Sequence, residues 1–194
     1  MIEVILWTAL SFLSGSLPFA VWLARLKGKD VRAIGDRNPG AFNALRAGGK
    51  ALGIAVLLLD ISKAAAPIGW AYYEFGWRGV RMIPIAIAPM LGHAYSPFLG
   101  FKGGKAIATA LGVWIGLTLW KVPVVALTAL TLFYLTLRNS GWSLLFTLIT
   151  LGVYLWLFLP ESSFFVILAL QSALLLWKHR TDLRQAPWQN SSPS

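Results

Sequence analysis

The chain has 194 residues, of which 57% are hydrophobic and 12% charged, whereas a typical soluble domain is about 25% charged. Its mean hydropathy of +0.68 excludes intrinsic disorder and an ordinary soluble globule, and indicates a protein embedded in lipid. The absence of cysteine excludes disulfides and zinc–thiolate sites. The net charge of +10 indicates a defined orientation and contact with anionic membrane lipids, well ahead of nucleic acid.

Seven apolar stretches predict an all-α, polytopic membrane protein with about seven transmembrane helices. The first stretch lacks the basic start and cleavage site of a signal peptide, so we expect it to remain as the first helix. Three stretches are shorter than the roughly 20 residues that a hydrocarbon core requires. Residues 1–180 are expected to form one domain, and residues 181–194 a polar tail. The predicted spans are residues 2–26, 51–73, 82–100, 106–120, 122–137, 142–159 and 162–177.

The basic residues predict the side of the membrane on which each loop lies. With the N-terminus outside, most Lys and Arg residues fall in cytoplasmic loops, and the C-terminus is cytoplasmic. The opposite side receives only Arg78, Arg81 and Lys121, while Lys63 lies within the second span. This asymmetry favours an odd number of spans, although five spans with a re-entrant hairpin would place the loops in the same way.

A polar loop at residues 30–46 combines arginine, asparagine and glycine. Arginine presents a planar fork of donors that suits phosphate oxygens, and glycine lets backbone N–H groups approach an anion closely. The loop therefore predicts anion capture, with a charged surface turn as the alternative. The residues that carry this prediction are Arg32, Arg37, Asn38, Asn43 and Arg46, beside Gly35 and Gly40.

A second loop places a glycine pair, Gly103 and Gly104, between Lys102 and Lys105 at the start of a predicted helix. Unpaired N–H groups and the positive end of a helix dipole at one point predict a phosphate site. The spacing is not that of the nucleotide-binding P-loop. The alternative is a lysine pair that contacts lipid headgroups.

Four ionisable residues within the predicted spans or at their ends are candidates for a functional role. Asp60 and Lys63 lie three positions apart on one helical face, and form either a structural pair or a substrate contact. His93 is either a buried hydrogen-bonding residue or a general base. His179, between Lys178 and Arg180, either joins the two loops at the same membrane interface or belongs to a basic cluster that stops translocation of the chain through the membrane. Their spacing matches neither a catalytic triad nor a metal site.

Three blocks of the sequence resemble the bacterial acyl-phosphate-dependent glycerol-3-phosphate acyltransferases, which are small integral membrane enzymes. GSLPF at residues 15–19 and the loop 30–46 are similar to the family's G-S-x-P-F and D-x-R-x-x-G-S-G-N-x-G-A-T-N-x-x-R patterns. Residues 92–109 are similar to G-H-x-x-P-x-F-x-x-F-K-G-G-K-G-x-A-T. Residues 178–184 resemble the basic-H-x-x-N-x-x-R ending more weakly.

The resemblance implies transfer of an acyl chain from acyl phosphate to the 1-position of glycerol 3-phosphate, giving lysophosphatidic acid and inorganic phosphate. This is the first acylation step of phospholipid synthesis, and the family uses neither coenzyme A nor a metal, so no cofactor is expected. Together with the prediction that the basic loops are cytoplasmic, the resemblance implies a site at the cytoplasmic face of the inner membrane, among membrane lipids. The expected catalytic residues are Lys105, Arg46, His179 and His93, and the expected phosphate-binding residues are Ser16, Asn38, Asn43, Arg32, Lys102, Gly103, Gly104 and Ser143.

The chain departs from the family pattern at several of these positions. Asp36-Arg37 replaces Ser-Gly, Ala106 replaces a glycine, and Asp182 replaces an asparagine; Phe42 also replaces a threonine. A carboxylate about 4 Å from a phosphate charge opposes binding by about 4 kcal/mol at an effective dielectric near 20. We therefore expect either that Asp182 turns away, toward a residue such as Lys178, or that the site has changed.

Two questions stay open at this level. Either Ser140 or Ser143 fits the family's serine after the basic loop residue. The same basic loops would also suit a transporter or pore for phosphate-bearing solutes, or a non-catalytic relative that binds lipid. A transporter would need polar residues through several spans, whereas the predicted helix centres contain no charges beyond Asp60 and Lys63.

Overall fold

The computed structural model describes residues 1–187, and within that range the regular structure is helical, as predicted. The last part of the predicted polar tail, residues 188–194, lies outside the described residues. Short 3-10 turns occupy Val31–Ala33, Gly79–Arg81 and Pro97–Leu99, and a π-helical turn, Trp70–Glu74, continues the third helix. The α-helices are α1 Ile2–Ser16, α2 Phe19–Arg25, α3 Ala41–Gly69, α4 Met82–Ala94, α5 Ile107–Thr118, α6 Lys121–Leu137, α7 Ser140–Phe158, α8 Ser162–Lys178 and α9 Arg180–Leu183.

Four helical stretches within residues 1–187 are long and apolar enough to cross a membrane: Ile2–Arg25, Ala41–Glu74, Gly79–Leu99 and Ser140–Phe158. Three further apolar helices, α5, α6 and α8, have 12, 17 and 17 residues. These seven segments coincide with the seven apolar stretches of the sequence. The number that span the bilayer, and the side on which each terminus lies, stay predictions.

Proline and glycine break two of the predicted segments. The first span is two helices, because Pro18 has no N–H to donate and holds Leu17 in an extended conformation (φ −61°, ψ 117°). The α3 helix bends where Gly48 and Gly49 leave helical geometry, with φ of 83° at Gly49. The predicted loop 30–46 is therefore too long at its C-terminal end, since the chain is helical from Ala41.

Glycines allow the helices that carry the site to pack closely. A Cβ on Gly15 of α1 would lie 2.1 Å from the carbonyl oxygen of Pro89 in α4, and one on Gly92 would lie 2.2 Å from that of Phe12. Gly112 of α5 meets the backbone of α3 in the same way. These contacts hold the C-terminal end of α4 beside the break between α1 and α2.

Four connecting segments that carry basic residues meet at one end of the helices. These basic segments are residues 26–40, 95–106, 138–139 and 178–184. The backbone N–H of Lys105 donates to Oδ1 of Asn38 at 3.0 Å. Lys178 Nζ donates to the carbonyl oxygen of Ala94 at 2.8 Å. Asn139 Nδ2 donates to the carbonyl oxygen of Asp182 at 3.0 Å. The segments that the charge pattern assigns to one side are thus adjacent in space.

Candidate functional site

A cavity of about 480 Å³ opens where the basic segments meet. Its wall contains six cationic side chains and one carboxylate, a charge balance that suits an anionic ligand. Several of the predicted phosphate-binding residues are among those that line it. The lining residues are Arg32, Asp36, Arg37, Asn38, Pro39, Leu99, Lys102, Gly103, Gly104, Lys105, Lys178, Arg180 and Thr181.

Lys105 is held between two carboxylates that come from distant parts of the chain. Its Nζ lies 3.0 Å from Oδ2 of Asp36 and 3.3 Å from Oδ2 of Asp182. Burial by itself lowers the pKa of Lys105, but the hydrogen bonds and negative charges of Asp36 and Asp182 outweigh it and raise that pKa. The side chain is therefore an ammonium ion throughout the physiological range.

Asp36 is fixed by neighbours in its own loop as well as by Lys105. It accepts hydrogen bonds from Nδ2 of Asn43 at 2.9 Å and from the backbone N–H of Asn38 at 3.2 Å. Burial tends to raise the pKa of Asp36, but the hydrogen bond and charge of Lys105 lower it overall. Sequence reasoning noted Asp36 only as a departure from the family pattern, although an acid within a basic phosphate loop was a usable signal.

Asp182 faces the site. Of the two alternatives expected for Asp182, the one in which it turns away toward Lys178 is wrong, because its carboxylate binds Lys105 and accepts a hydrogen bond from Oγ of Ser140 at 2.7 Å. The other alternative, a changed site, stays a prediction. Ser143 instead donates to the carbonyl oxygen of Asn139 at 2.6 Å within its own helix and is buried. Of the two serines, Ser140 is therefore the one that contacts the residues around Lys105.

The amides of the glycine pair are not bare, contrary to the prediction. Gly103 N–H donates to the carbonyl oxygen of Ala94 at 3.2 Å, and Gly104 N–H donates to that of His93 at 3.0 Å. A Cβ on Gly103 would lie 1.9 Å from the carbonyl oxygen of His93, and one on Gly104 would lie 2.2 Å from its Nε2. Glycine is required here because the end of α4 packs directly against the loop.

Two positions that are glycine in the resembled pattern have left-handed backbone conformations in this chain. The φ angle is 59° at Arg37 and 65° at Ala106. Side chains adopt this region at a cost of about 1 to 2 kcal/mol. Both residues thus hold a backbone conformation that glycine adopts without strain, at some expense in stability.

Two further predicted residues, Arg46 and Ser16, are not among those that line this cavity. The guanidinium of Arg46 stacks 5.2 Å from the ring centroid of Phe42, and its Nη1 abuts Gly35, next to Asp36. Ser16 is buried and donates to the carbonyl oxygen of Phe12 at 2.7 Å, so its hydroxyl is engaged within α1.

His179 is 1% exposed and lies directly after α8. Its Nδ1 is 2.8 Å from the carbonyl oxygen of Leu175, which can only accept, so Nδ1 carries the proton and Nε2 has a free lone pair. Burial lowers the pKa of His179 below its ordinary value. The ring is therefore neutral near pH 7 and able to accept a proton.

The intramembrane charges form a separate, buried group. Lys63 Nζ lies 2.7 Å from Oδ1 of Asp60 and 2.8 Å from Nδ1 of His93. Asp60 and Lys63 thus pair with each other, one of the two arrangements that their spacing allowed. The cavity around Lys105 is lined by other residues, so Asp60 and Lys63 are not in its wall.

Comparisons with known proteins bear on this site. The profile of the family described as glycerol-3-phosphate acyltransferase matches residues 5–187. The glycerol-3-phosphate acyltransferase of Vibrio campbellii is 38% identical over 182 residues, which cover 93% of this chain and 88% of that protein. That of an Anaeromyxobacter species is 39% identical over 182 residues, covering 91% and 89%.

A solved structure shares the fold. The crystal structure of PlsY, an integral membrane glycerol 3-phosphate acyltransferase in its glycerol 3-phosphate form, is 30% identical and superimposes with a TM-score of 0.86. The match covers 94% of this chain and 90% of that one. The lysophosphatidic acid form of PlsY is 28% identical by the same comparison, with a TM-score of 0.85.

Proposed function

The chain belongs to the glycerol-3-phosphate acyltransferase family, and we propose that it transfers an acyl chain from acyl phosphate to the sn-1 hydroxyl of glycerol 3-phosphate. The products are lysophosphatidic acid and inorganic phosphate. Family membership makes the protein an acyltransferase of the membrane, and favours the enzyme over a transporter. The observation that carries the proposal for its substrates is the cation-lined cavity around Lys105.

The charge of the cavity supports two phosphorylated substrates. Acyl phosphate and glycerol 3-phosphate are both anions, so their approach requires fixed cations that offset their repulsion. Lys102 and Lys105 line the cavity from the loop before α5, and Lys178 and Arg180 line it from the end of α8 and the start of α9. We assign a different task to the neutral Asn38, which positions Lys105, because its side-chain oxygen accepts a hydrogen bond from the backbone N–H of Lys105.

In the proposed reaction the sn-1 oxygen attacks the acyl carbonyl carbon, and the bond from that carbon to the phosphate oxygen breaks. The cations stabilise the negative charge that develops on the carbonyl oxygen and on the departing phosphate. The hydroxyl proton passes to Nε2 of His179, which has the free lone pair, and then to the phosphate. Arg46, next to the Asp36 loop, contributes a further fixed charge.

Direct transfer, without a covalent intermediate on the enzyme, fits the residues of this chain. The sequence contains no cysteine, and the two histidines are engaged with Lys63 and with a backbone carbonyl group instead of with a serine. A mixed anhydride is already activated, so direct transfer needs no covalent enzyme intermediate.

The proposed location is the inner membrane, with seven spans, the N-terminus outside and the cavity open to the cytoplasm. Support comes from the basic segments, which meet at one end of the helices as the positive-inside rule requires of cytoplasmic loops. At that face a water-soluble acceptor meets a donor that is dissolved in the bilayer.

The direct test incubates the purified protein in lipid nanodiscs with palmitoyl phosphate and glycerol 3-phosphate. We expect equimolar release of inorganic phosphate and 1-acyl lysophosphatidic acid, identified by NMR, and no product with palmitoyl-CoA as the donor. Formation of the 2-acyl isomer, or turnover with palmitoyl-CoA alone, would contradict the finer assignment. Binding of glycerol 3-phosphate without any product would instead identify a non-catalytic relative.

A further inference from the structure

The buried charges of α3 have no place in the chemistry described so far. Asp60 is 2% exposed and Lys63 is 5% exposed, in a helix long and apolar enough to cross the membrane. Charges in such a position are costly unless they are paired or serve the site. The contacts of Lys63 show that these charges act on His93.

The ammonium group of Lys63 is fully satisfied. It has three N–H donors, and three acceptors lie around it. These are Oδ1 of Asp60 at 2.7 Å, Nδ1 of His93 at 2.8 Å and the carbonyl oxygen of Leu17 at 3.0 Å. The last acceptor is available because Pro18 interrupts the helix at this point.

This arrangement decides the tautomer of His93. If Nδ1 accepts from Lys63, the proton of the neutral ring must be on Nε2. Nε2 is the atom that lies against Gly104, since a Cβ there would be only 2.2 Å away. Gly104 lines the phosphate cavity and directly precedes Lys105. The Nε2 proton of His93 is therefore presented to the loop that carries Lys105.

A small cavity connects the two groups. It has a volume of about 10 Å³, near the minimum for one water molecule. Its wall includes Asp60, Lys63 and His93, and it shares Pro39, Leu99 and Gly104 with the larger cavity. The buried charges thus border the phosphate site through His93 without entering it.

We propose that Lys63 is a positioning residue: its ammonium group fixes the ring of His93 so that the Nε2 proton is directed at the loop of residues 102–105. His93 then donates a hydrogen bond to an anionic substrate oxygen and is not the general base. The identity of the oxygen that accepts this hydrogen bond, on a phosphate or on the acyl carbonyl, rests on the proposed function. The orientation of the ring rests only on the contacts of Lys63.

The competing arrangement has a neutral Lys63 that accepts a hydrogen bond from Nδ1–H of His93. It would leave Nε2 without a proton and make His93 a base. The carboxylate of Asp60 at 2.7 Å favours the ammonium form. The two arrangements differ in which nitrogen carries the proton, and that can be measured directly.

The experiment records ¹⁵N NMR spectra of the protein labelled at the histidine ring nitrogens, in nanodiscs near pH 7. The chain has only two histidines, so His179→Gln assigns both sets of signals. We expect His93 to show a single tautomer with the proton on Nε2. A proton on Nδ1 would overturn the proposal.

The matched variant replaces both buried charges, Asp60→Asn with Lys63→Met, because removing Lys63 alone leaves a buried charge unpaired and endangers folding. We expect a mixture of His93 tautomers and a fall in kcat of about a hundredfold, with little change in KM. The control Ser14→Ala deletes the hydrogen bond from Ser14 to the carbonyl oxygen of Lys63 and leaves the ammonium in place.

The control should keep both the tautomer and kcat. An unchanged His93 spectrum and an unchanged kcat in the double variant would overturn the role of Lys63. If the wild-type protein showed no acyl transfer, the proposed function would fail, and the ¹⁵N spectrum would still decide the orientation of His93.

Discussion

The ammonium group of Lys105 lies 3.3 Å from the carboxylate of Asp182, a residue 77 positions further along the chain. The second carboxylate on the same lysine, that of Asp36, is 3.0 Å away. A phosphate that binds Lys105 must therefore compete with two negative charges, where the resembled family pattern has a serine and an asparagine. The predictions below begin from this arrangement.

Asp182→Asn is expected to tighten binding of glycerol 3-phosphate. The variant keeps an oxygen that accepts from Ser140 but removes a charge that opposes the phosphate. The Coulomb term is about 4 kcal/mol at 4 Å and a dielectric near 20; with solvent screening we expect KM to fall about tenfold. Steady-state kinetics measures it, with Glu161→Gln as a remote control. An equal or higher KM would show that Asp182 does not face the bound phosphate.

Lys105→Ala is expected to remove turnover while the protein still folds. The substitution deletes the central cation of the cavity and leaves Asp36 and Asp182 facing the substrate, so kcat should fall by about a hundredfold or more. Arg46→Ala should act in the same direction. Phosphate release measures turnover, and thermal unfolding monitors the fold. Near-normal rates in both variants would contradict the site, and the exposed Lys27→Ala is the control.

The acid limb of the kcat profile is expected to lie below pH 6.5. Burial lowers the pKa of His179 from its ordinary value of 6.5, so the neutral, proton-accepting ring persists to lower pH. Rates measured from pH 5 to pH 9 would locate the limb, and His179→Gln should abolish it along with most of the rate. A wild-type limb above pH 6.5 would exclude His179 as the proton acceptor.

Gly104→Ala is expected to impair catalysis through His93. The new methyl group would occupy space 2.2 Å from Nε2, so either the ring or the loop must shift. A displacement of about 1 Å can cost about a hundredfold in rate. Gly69→Ala is the matched control, because a Cβ there meets nothing closer than 3.8 Å. If both variants had wild-type kcat, the close approach of His93 to the loop would be functionally irrelevant.

Ala106→Gly is expected to stabilise the protein. Glycine removes the strain of a left-handed alanine, about 1 kcal/mol or more, although the greater freedom of the unfolded chain offsets part of the gain. The midpoint of thermal unfolding should rise, whereas Ala126→Gly, within helix α6, should lower it. A lower midpoint for Ala106→Gly would mean that the buried methyl group of Ala106 contributes more to stability than the strain costs.

Local patterns predicted the helical fold well. The apolar stretches coincide with the observed helices, because hydrophobicity along the chain decides which segments enter lipid. The spacing of Asp60 and Lys63 correctly permitted a pair on one helical face. The first span was predicted as one helix because hydrophobicity continues through Pro18, although the backbone break there follows from proline itself.

Contacts between distant segments could not be predicted in this way. The glycine pair was expected to expose its amides, but α4 supplies carbonyl groups to both, which depends on helix packing and not on the loop's own sequence. Sequence left open whether Asp182 turns away from the site or marks a change in it, whereas in the structure a lysine and a serine from two other segments hold it beside the cavity. The partner of a charged side chain is set by the tertiary fold.

The three side chains of the Asp36–Lys105–Asp182 cluster also bear on how the protein is made. They enter the chain in the order Asp36, Lys105 and Asp182, and the last of them follows α8. Lys105 is thus synthesised 77 positions before Asp182. A nascent chain that reached only the end of α8 would contain the apolar helices α1 to α8 but lack one carboxylate of the cluster, so the segment after α8 must be added before the site can assemble.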